Sequence, residues 1–456
     1  MSRAPSVRNV VIIGGGISGL AAAHRLARLA PDASITLIEA DNRLGGKIVT
    51  DRADGFVIEG GPDTFLSLKP RGLGLCRELG LESRLHGTNE KIRRTYVMRG
   101  GKLYELPEGL TGLIPSRFGP MARTSLISPV GKLRMGFDYF IPPRSLNGDE
   151  SLAAFVERRL GRELYDRLVE PLMGGIYAGD GEQLSLAATF PQLRQTELEH
   201  GGLIKGMLAS KRRSPTPHDP SARFASGRAV GRSQETSESR PKKLSAFLTP
   251  TTGLAEIVEA LEAKLSGVEV RLGNRAARVE AASGGHTVIL ENGESIRADA
   301  VIFATPAFAT ADLISNLDSQ LADSLTGIPY VSTATVSVAY PLADIPRPLD
   351  GYGYIIPRAE GRLILACTWT STKFPHRAPD GFGLIRAFVG RAGQEDLLGR
   401  SDDELLNLVR DELRRTLGIT MPPILHRGFR WPKAMPQYTL GHLDRLAIID
   451  KQLAAH

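Results

Sequence analysis

Apolar residues along the chain follow two rhythms. Val10 to Ile13 is an unbroken run of four β-formers, the pattern of a strand covered on both faces. Past a glycine-rich turn, Ile17, Leu20, Ala21, Ala23, Leu26 and Leu29 recur at helical spacing and predict a helix with one apolar face. "SITLIEA" then reads as a second buried strand, ending at Glu39. Far downstream the same alternation resumes. In "TTGLAEIVEALEAKL", Leu254, Ile257, Val258, Leu261 and Leu265 share a helical face. "GVEVRL", "AARVEAA" and "HTVIL" read as short strands, with Asn292-Gly293 as a hairpin turn, and "ADAVIFATP" as a buried strand leading to Pro306. Between these blocks, helical stretches such as "ESLAAFVERRLGRELYDRLVEPL" dominate. Beyond them strands return in "VSTATVSVAY", "YGYIIP", "RLILACTW" and "GLIRAFVG". A chain of 456 residues is too long for one simple core. The pattern predicts an α/β protein of more than one domain.

The first turn carries the most specific signal. Gly14-Gly15-Gly16-Ile17-Ser18-Gly19 matches G-x-G-x-x-G, with Gly14, Gly16 and Gly19 at the glycine positions. The first glycine permits a tight turn, the second lets a pyrophosphate approach the backbone, and the third lets helix pack on strand. The helix that follows aims its free amides at the phosphates. Glu39 lies twenty residues beyond Gly19, where a carboxylate accepts hydrogen bonds from ribose hydroxyls and disfavours a 2′-phosphate. Together these predict an ADP-ribosyl ligand. Next comes "DNRLGGKI", whose Gly45 and Gly46 suit a backbone passing close to a second diphosphate face. "FVIEGGPDTFL" ends a strand in Glu59-Gly60-Gly61-Pro62, a turn able to run under a flat ring.

Composition is that of an ordinary globular protein, 42% hydrophobic and 23% charged, so it excludes coiled-coil, collagen-like and wholly disordered chains. Charge adds more. The formal +7 is concentrated between Lys211 and Lys243, where nine Lys/Arg face three Asp/Glu, a local excess of six. Basicity thus belongs to one segment, which argues against a nucleic-acid partner. That segment is rich in Ser, Pro and Arg and is expected to be a disordered, solvated insertion, with docking to anionic lipid or nucleic acid as the alternative. Cys76 and Cys367 are the only cysteines and are expected to be buried thiols of a cytosolic protein. Glycines interrupt the early apolar runs, so neither a signal peptide nor a spanning helix is expected, and no metal site is expected either.

The glycine fingerprint followed by "RLGG" resembles the flavin amine oxidase and protoporphyrinogen oxidase superfamily. The cofactor implied is FAD. Its site would be made by Gly14, Gly15, Gly16, Ile17, Ser18, Gly19, Glu39, Arg43, Gly45, Gly46, Lys47, Gly61, Pro62, Asp63 and Thr64. The backbone of Val279 would meet the adenine. The resemblance implies a discontinuous Rossmann-like FAD domain with an α+β substrate-binding domain. The segments would be FAD-binding at 1–79, helical substrate-binding at 80–209, the basic insertion at 210–245, FAD-binding again at 246–309, and substrate-binding sheet at 310–456.

Four further segments resemble the protoporphyrinogen oxidase pattern, in its order: "GGIYAGDGEQLSLAATFPQL", "GYGYIIP", "TWTSTKFP" and "PQYTLGH". They imply an oxygen-dependent heme-pathway oxidase acting on coproporphyrinogen III or protoporphyrinogen IX. Hydride would pass to flavin N5, dioxygen would reoxidise the flavin, and peroxide would leave. No general base is implied. Gly175 would offer its carbonyl to pyrrole N–H groups, and Ile355 and Trp369 would sandwich the macrocycle. Arg94, one residue before the family's aligned arginine, is the candidate for a substrate propionate. Tyr177 and His442 are read as structural. Implied partners are the tetrapyrrole and dioxygen, with peripheral membrane contact, a heme-pathway enzyme and a homodimer left open. The family's glycine-rich C-terminal segment has no counterpart here, which keeps an inactive porphyrin-binding remnant open as an alternative, beside an amine oxidase or carotenoid desaturase.

Overall fold

The run Val10–Ile13 is apolar throughout because it lies in an interior strand of a four-stranded parallel sheet. In the computed structural model, which describes residues 8–455 except 112–113, 116–117, 145–147 and 213–244, the strand order is Val268–Arg271, Ser34–Ile38, Asn9–Ile13, Ala300–Phe303. Every neighbouring pair is parallel. Successive side chains point to opposite faces. Val10 and Ile12 pack with Leu20, Ala23, Ile257, Val258 and Leu261 of helices Ile17–Leu29 and Ala255–Glu262. Val11 and Ile13 pack with Val279, Val288, Ala311 and Ile314 on the other face. The sheet therefore joins two stretches distant in sequence, a Rossmann-like layer built discontinuously. The second stretch inserts the antiparallel strands Ala276–Ala282, Gly285–Leu290 and Ser295–Ala298. Gly293 takes φ +87° at the Asn292-Gly293 turn, a conformation open to glycine at no steric cost.

The remaining chain centres on a seven-stranded sheet, ordered Leu425–Pro436, Tyr330–Pro341, Phe382–Val389, Ile364–Trp369, Gly353–Ile355, Tyr96–Arg99, Lys102–Glu105. One face is core. Ala334, Val336, Val338, Tyr340, Ile385, Ala387, Val389, Cys367 and Trp369 pack there with Leu405, Val409 and Leu413 of helix Asp402–Leu417. That helix starts with a reciprocal capping box between Ser401 and Glu404. Two of the seven strands, Tyr96–Arg99 and Lys102–Glu105, come from the stretch expected to be helical, and they close the sheet edge through the Gly100-Gly101 turn.

The rest of that stretch is largely helical, from Leu152–Leu160 through Glu170–Tyr177 to Pro191–His200 and Leu203–Arg212, around a separate apolar core. A fully buried ion pair, Arg159 Nε to Asp138 Oδ1 at 2.5 Å, fixes its centre. Apart from its ends, the basic 210–245 segment lies outside the described residues.

Candidate functional site

The glycine turn is shaped by contacts that admit no side chain at two positions and leave room at a third. A Cβ on Gly14, at φ +110°, would lie 2.8 Å from the Ala304 carbonyl oxygen. On Gly19 it would lie 1.9 Å from the Gly14 oxygen, so helix and strand approach too closely for any other residue. On Gly16 it would meet no atom within 4 Å. Gly16 is also the helix N-cap, and no side chain caps that end. The first-turn amides therefore look onto open space, the requirement for a diphosphate.

Glu39 is fixed at the second strand's end by two backbone amides, Gly15 N–H to Oε2 at 2.6 Å and Asp41 N–H to Oε1 at 2.8 Å. Each oxygen retains a lone pair for a ribose hydroxyl. Gly45 N–H donates to Gly15 O at 2.9 Å, laying the Gly45-Gly46 loop alongside the glycine turn. Arg43, exposed, folds back along its own loop and donates to the carbonyls of Leu44, Gly46 and Ile48, so it shapes this loop. Lys47 Nζ reaches Ala434 O at 2.8 Å, and burial lowers its pKa. Val279 buries its side chain beneath the parallel sheet, while its strand is the edge of the three-stranded sheet.

The turn after Glu59 is where the two parts of the molecule meet. A Cβ on Gly61 would fall 1.8 Å from the Lys47 carbonyl oxygen, so the two backbones touch. Gly60 O accepts from Thr335 Oγ1 at 2.9 Å, Trp431 Nε1 at 2.8 Å and Arg386 Nη2 at 3.2 Å. Arg386 also donates to Gly61 O. Buried Glu59 accepts from Thr50 Oγ1 at 2.7 Å and Leu254 N–H at 2.8 Å, and forms an ion pair with Arg377, whose Nη2 is 2.9 Å away. Burial raises its pKa, with Arg377 opposing. Asp63 Oδ2 pairs with Lys373 Nζ at 2.9 Å, and Thr64 Oγ1 donates to Asp63 Oδ1 at 3.0 Å. Burial alone would raise the Asp63 pKa, but Lys373, Arg386 and Arg377 together hold the carboxyl well below the usual carboxylate range. Pro62 stands exposed at the turn.

Strand alternation carries this site onto an apolar wall. Thr335, Arg386 and Phe388 lie on the sheet face opposite the core, and the Arg386 guanidinium sits 4.8 Å from the Phe388 ring centre. Phe388, Ile355 and Met435 pack around Ala178, Val331, Leu365 and Ala366. A Cβ on Gly175 would be 3.7 Å from Ile355 Cγ2, so these two expected substrate residues are neighbours, and Gly175 is exposed.

The other two are elsewhere. Trp369 is 0% exposed within the sheet core, its ring centre 5.6 Å from that of Tyr96 and 6.3 Å from that of Tyr354. Its parity in the strand matches Cys367, which turns it away from the wall and rules out a sandwiching role. Arg94 is exposed and already paired with Asp350 at 3.1 Å and Glu105 at 3.8 Å, which leaves no free charge for a propionate. Tyr177 packs edge-on to Phe190 and Tyr438, and His442 stacks on Tyr438 at 4.6 Å.

Lys373, Arg377, Arg386, Thr335 and Trp431 were not anticipated. A signal existed for Arg386: one arginine inside "GLIRAFVG" must be buried with its strand and therefore needs partners. Cys76 and Cys367 are buried and unbridged, with burial pushing their thiols up to about 11 and about 12, so neither is a thiolate at neutral pH. Among the described residues, no group of three or more His, Cys, Asp or Glu is arranged for a metal ion, and no helix is long and apolar enough to cross a membrane.

A two-segment parallel sheet, an open glycine cradle and a fixed acid at the next strand end define a dinucleotide-binding oxidoreductase architecture. Residues 17–451 match the family described as flavin containing amine oxidoreductase, and the chain belongs to that family. FAD is accordingly its cofactor. The chain is 36% identical over 452 residues to the coproporphyrinogen III oxidase of Bacillus subtilis (strain 168), covering 98% of this chain and 91% of that protein. It is 33% identical over 457 residues to protoporphyrinogen oxidase 1, chloroplastic, of Arabidopsis thaliana, covering 96% and 80% respectively. The crystal structure of a putative protoporphyrinogen oxidase from Exiguobacterium sp. 255-15 superposes with a TM-score of 0.82 at 31% identity, covering 99% of this chain and 92% of that one.

Proposed function

We propose that this chain is the FAD-dependent porphyrinogen oxidase of a heme pathway, acting on coproporphyrinogen III or protoporphyrinogen IX. The observation that carries the reading is the near-full-length likeness to oxidases of both kinds. The geometry supports it, because an apolar wall adjoins the Gly60–Thr64 turn and a flat macrocycle needs such a wall. When bound, FAD supplies hydride acceptance from a substrate carbon and passes two electrons to dioxygen, which leaves as hydrogen peroxide. In this reading the amides from Gly15 to Gly19 hold the diphosphate and Glu39 holds the ribose. The free edge at Val279 meets the adenine, and Gly61 to Thr64 lie beneath the ring. Gly175 and Ile355 form the substrate wall, which is apolar and excludes water from the reacting carbon. Anaerobic addition of coproporphyrinogen III should bleach the flavin absorbance, and air should restore it with release of peroxide. FAD-loaded protein that stays oxidised with both porphyrinogens would sink the reading.

A peripheral contact with an anionic bilayer is a second part of the proposal. Val130, Leu133 and Phe137 recur at helical spacing and, with Phe140, are 51–77% exposed. Lys205 lies over the adjacent Tyr139 ring, and Lys132, whose Nζ donates to Ala122 O at 2.8 Å, belongs to the same helix as Val130 and Leu133. Apolar side chains rimmed by cations suit an anionic lipid surface. Co-flotation with phosphatidylglycerol vesicles that is lost in Phe137→Ser/Phe140→Ser supports the contact, whereas equal flotation of both proteins refutes it.

A further inference from the structure

Five ionisable side chains converge on the Glu59–Thr64 turn, and their charges do not balance. Lys373, Arg377 and Arg386 are cations, against Glu59 and Asp63. At least one positive charge is left over. Arg377 is 0% exposed and Arg386 4%, so solvent screens this excess poorly. The cations are tied to the peptide groups of the turn itself: Arg386 donates to Gly60 O and Gly61 O, and Arg377 Nη2 donates to Asp63 O at 3.3 Å. Hydrogen bonding is also incomplete. Nε and Nη1 of Arg377 and Nε of Arg386 are buried with no partner among the described residues. Buried polar groups are nearly always hydrogen-bonded, so each of these three donors calls for an explanation.

Nearby groups do not cancel the excess. His86 and His376 stack with ring centres 4.4 Å apart beside Arg377, and burial, then His86 and Arg377, push His376 down to about 4, so it is neutral at physiological pH. Lys47 adds a further cation, directed at Ala434 O. The five charges also come from both parts of the molecule. Glu59 and Asp63 belong to the segment following the glycine cradle, whereas Lys373, Arg377 and Arg386 belong to the seven-stranded sheet and its connections.

We propose that this cluster is an electrostatic positioning device: its cation excess, trimmed by the Lys373–Asp63 pair, raises the affinity of the bound isoalloxazine for negative charge and so favours hydride acceptance. The proposal rests on the reading that Gly61 to Thr64 lie beneath the flavin ring. Lys373 and Asp63 are positioning residues in it, acting through charge and without touching the substrate.

The test uses FAD-loaded full-length protein and sulfite, whose addition to flavin places negative charge on the ring and is read from the absorbance. Removing one charge of the pair changes the local potential by one unit, in opposite senses for the two residues. Lys373→Met should weaken sulfite binding roughly tenfold, and Asp63→Asn should tighten it by a similar factor. Lys373→Arg, which keeps the charge, should stay near wild type. The flavin reduction potential should move in parallel, downward in Lys373→Met and upward in Asp63→Asn. A purely structural role would shift both variants the same way. Should Lys373→Met fail to load FAD, the comparison of Asp63→Asn with Lys373→Arg carries the same test. Shifts of one sign, or sulfite affinities within twofold of wild type in FAD-loaded variants, overturn the proposal alone. Wild-type protein that takes up no FAD overturns the cofactor reading as well.

Discussion

Substituting alanine at Gly16 and at Gly19 separates a position emptied for a ligand from one emptied for packing. At Gly19 the new Cβ would stand 1.9 Å from the Gly14 oxygen, 3.1 Å from the Gly14 carbonyl carbon and 3.3 Å from Ala304 Cβ. Backbone cannot retreat there without opening the first strand, so Gly19→Ala should cost at least the upper end of the overpacking range, about 3 kcal/mol. At Gly16 nothing lies within 4 Å, and the backbone, at φ −70° and ψ 178°, is open to alanine. The reduced freedom of the unfolded chain stabilises this variant by about 0.4–1 kcal/mol, and the poorer N-cap costs a similar amount. Fold stability should therefore stay within about 1 kcal/mol of wild type. FAD affinity should not. A methyl group in the space the diphosphate must enter removes one charge-assisted hydrogen bond, about 1.5–3 kcal/mol, or roughly tenfold to hundredfold in Kd. Thermal melting without added FAD, paired with a flavin fluorescence titration, measures both quantities. Wild-type FAD affinity in Gly16→Ala would place the diphosphate elsewhere and refute the cradle.

Asp138→Asn removes the nearer of the two buried carboxylates facing Arg159 and leaves Glu197 at 3.5 Å, so the loss should fall toward the lower end of the roughly 3–5 kcal/mol that breaking a buried pair costs; urea denaturation should show it. His376 is pushed down to about 4 when folded, so the unfolded chain binds its proton first as pH falls below the ordinary histidine value of about 6.5. Stability should decline between about pH 6.5 and 4, and His376→Gln should flatten that limb in a series of melting curves. Trp369→Phe should lower Tm with KM unchanged because the ring lies in the core, whereas Ile355→Ala should raise the porphyrinogen KM with little change in Tm; steady-state kinetics at fixed oxygen distinguish them.

The nucleotide cradle was legible because each of its demands is local. A strand, a turn with three glycines, a helix and an acid occupy one contiguous stretch, and their spacing is set by the geometry they serve. The discontinuous sheet was legible through the family resemblance, with the apolar run of strand Ala300–Phe303 in support. Strands Tyr96–Arg99 and Lys102–Glu105 were not, because their short runs lie within a stretch whose period is otherwise helical, and their pairing with Gly353–Ile355 is a long-range event. Likewise the "TWTSTKFP" motif marks a place on the chain but not a direction. The register of Ile364–Trp369, with its bulge between Ile364 and Ala366, sends Trp369 into the core. Past the strand end, Lys373 is the residue that reaches Asp63.

The carbonyl of Gly60 shows why such partners cannot be read from a single segment. Its three donors, Thr335, Arg386 and Trp431, come from the adjacent strands Phe382–Val389, Tyr330–Pro341 and Leu425–Pro436. Each donor leaves the face opposite the sheet core, so the same alternation that buries Val336 and Ile385 also aims Thr335 and Arg386 at the turn. A register slip of one residue in Phe382–Val389 would exchange these sets, placing a guanidinium in the core and an isoleucine against the turn. The register that packs the second part of the molecule therefore also delivers its charge to the first, and core substitutions far from the cradle should disturb the two together.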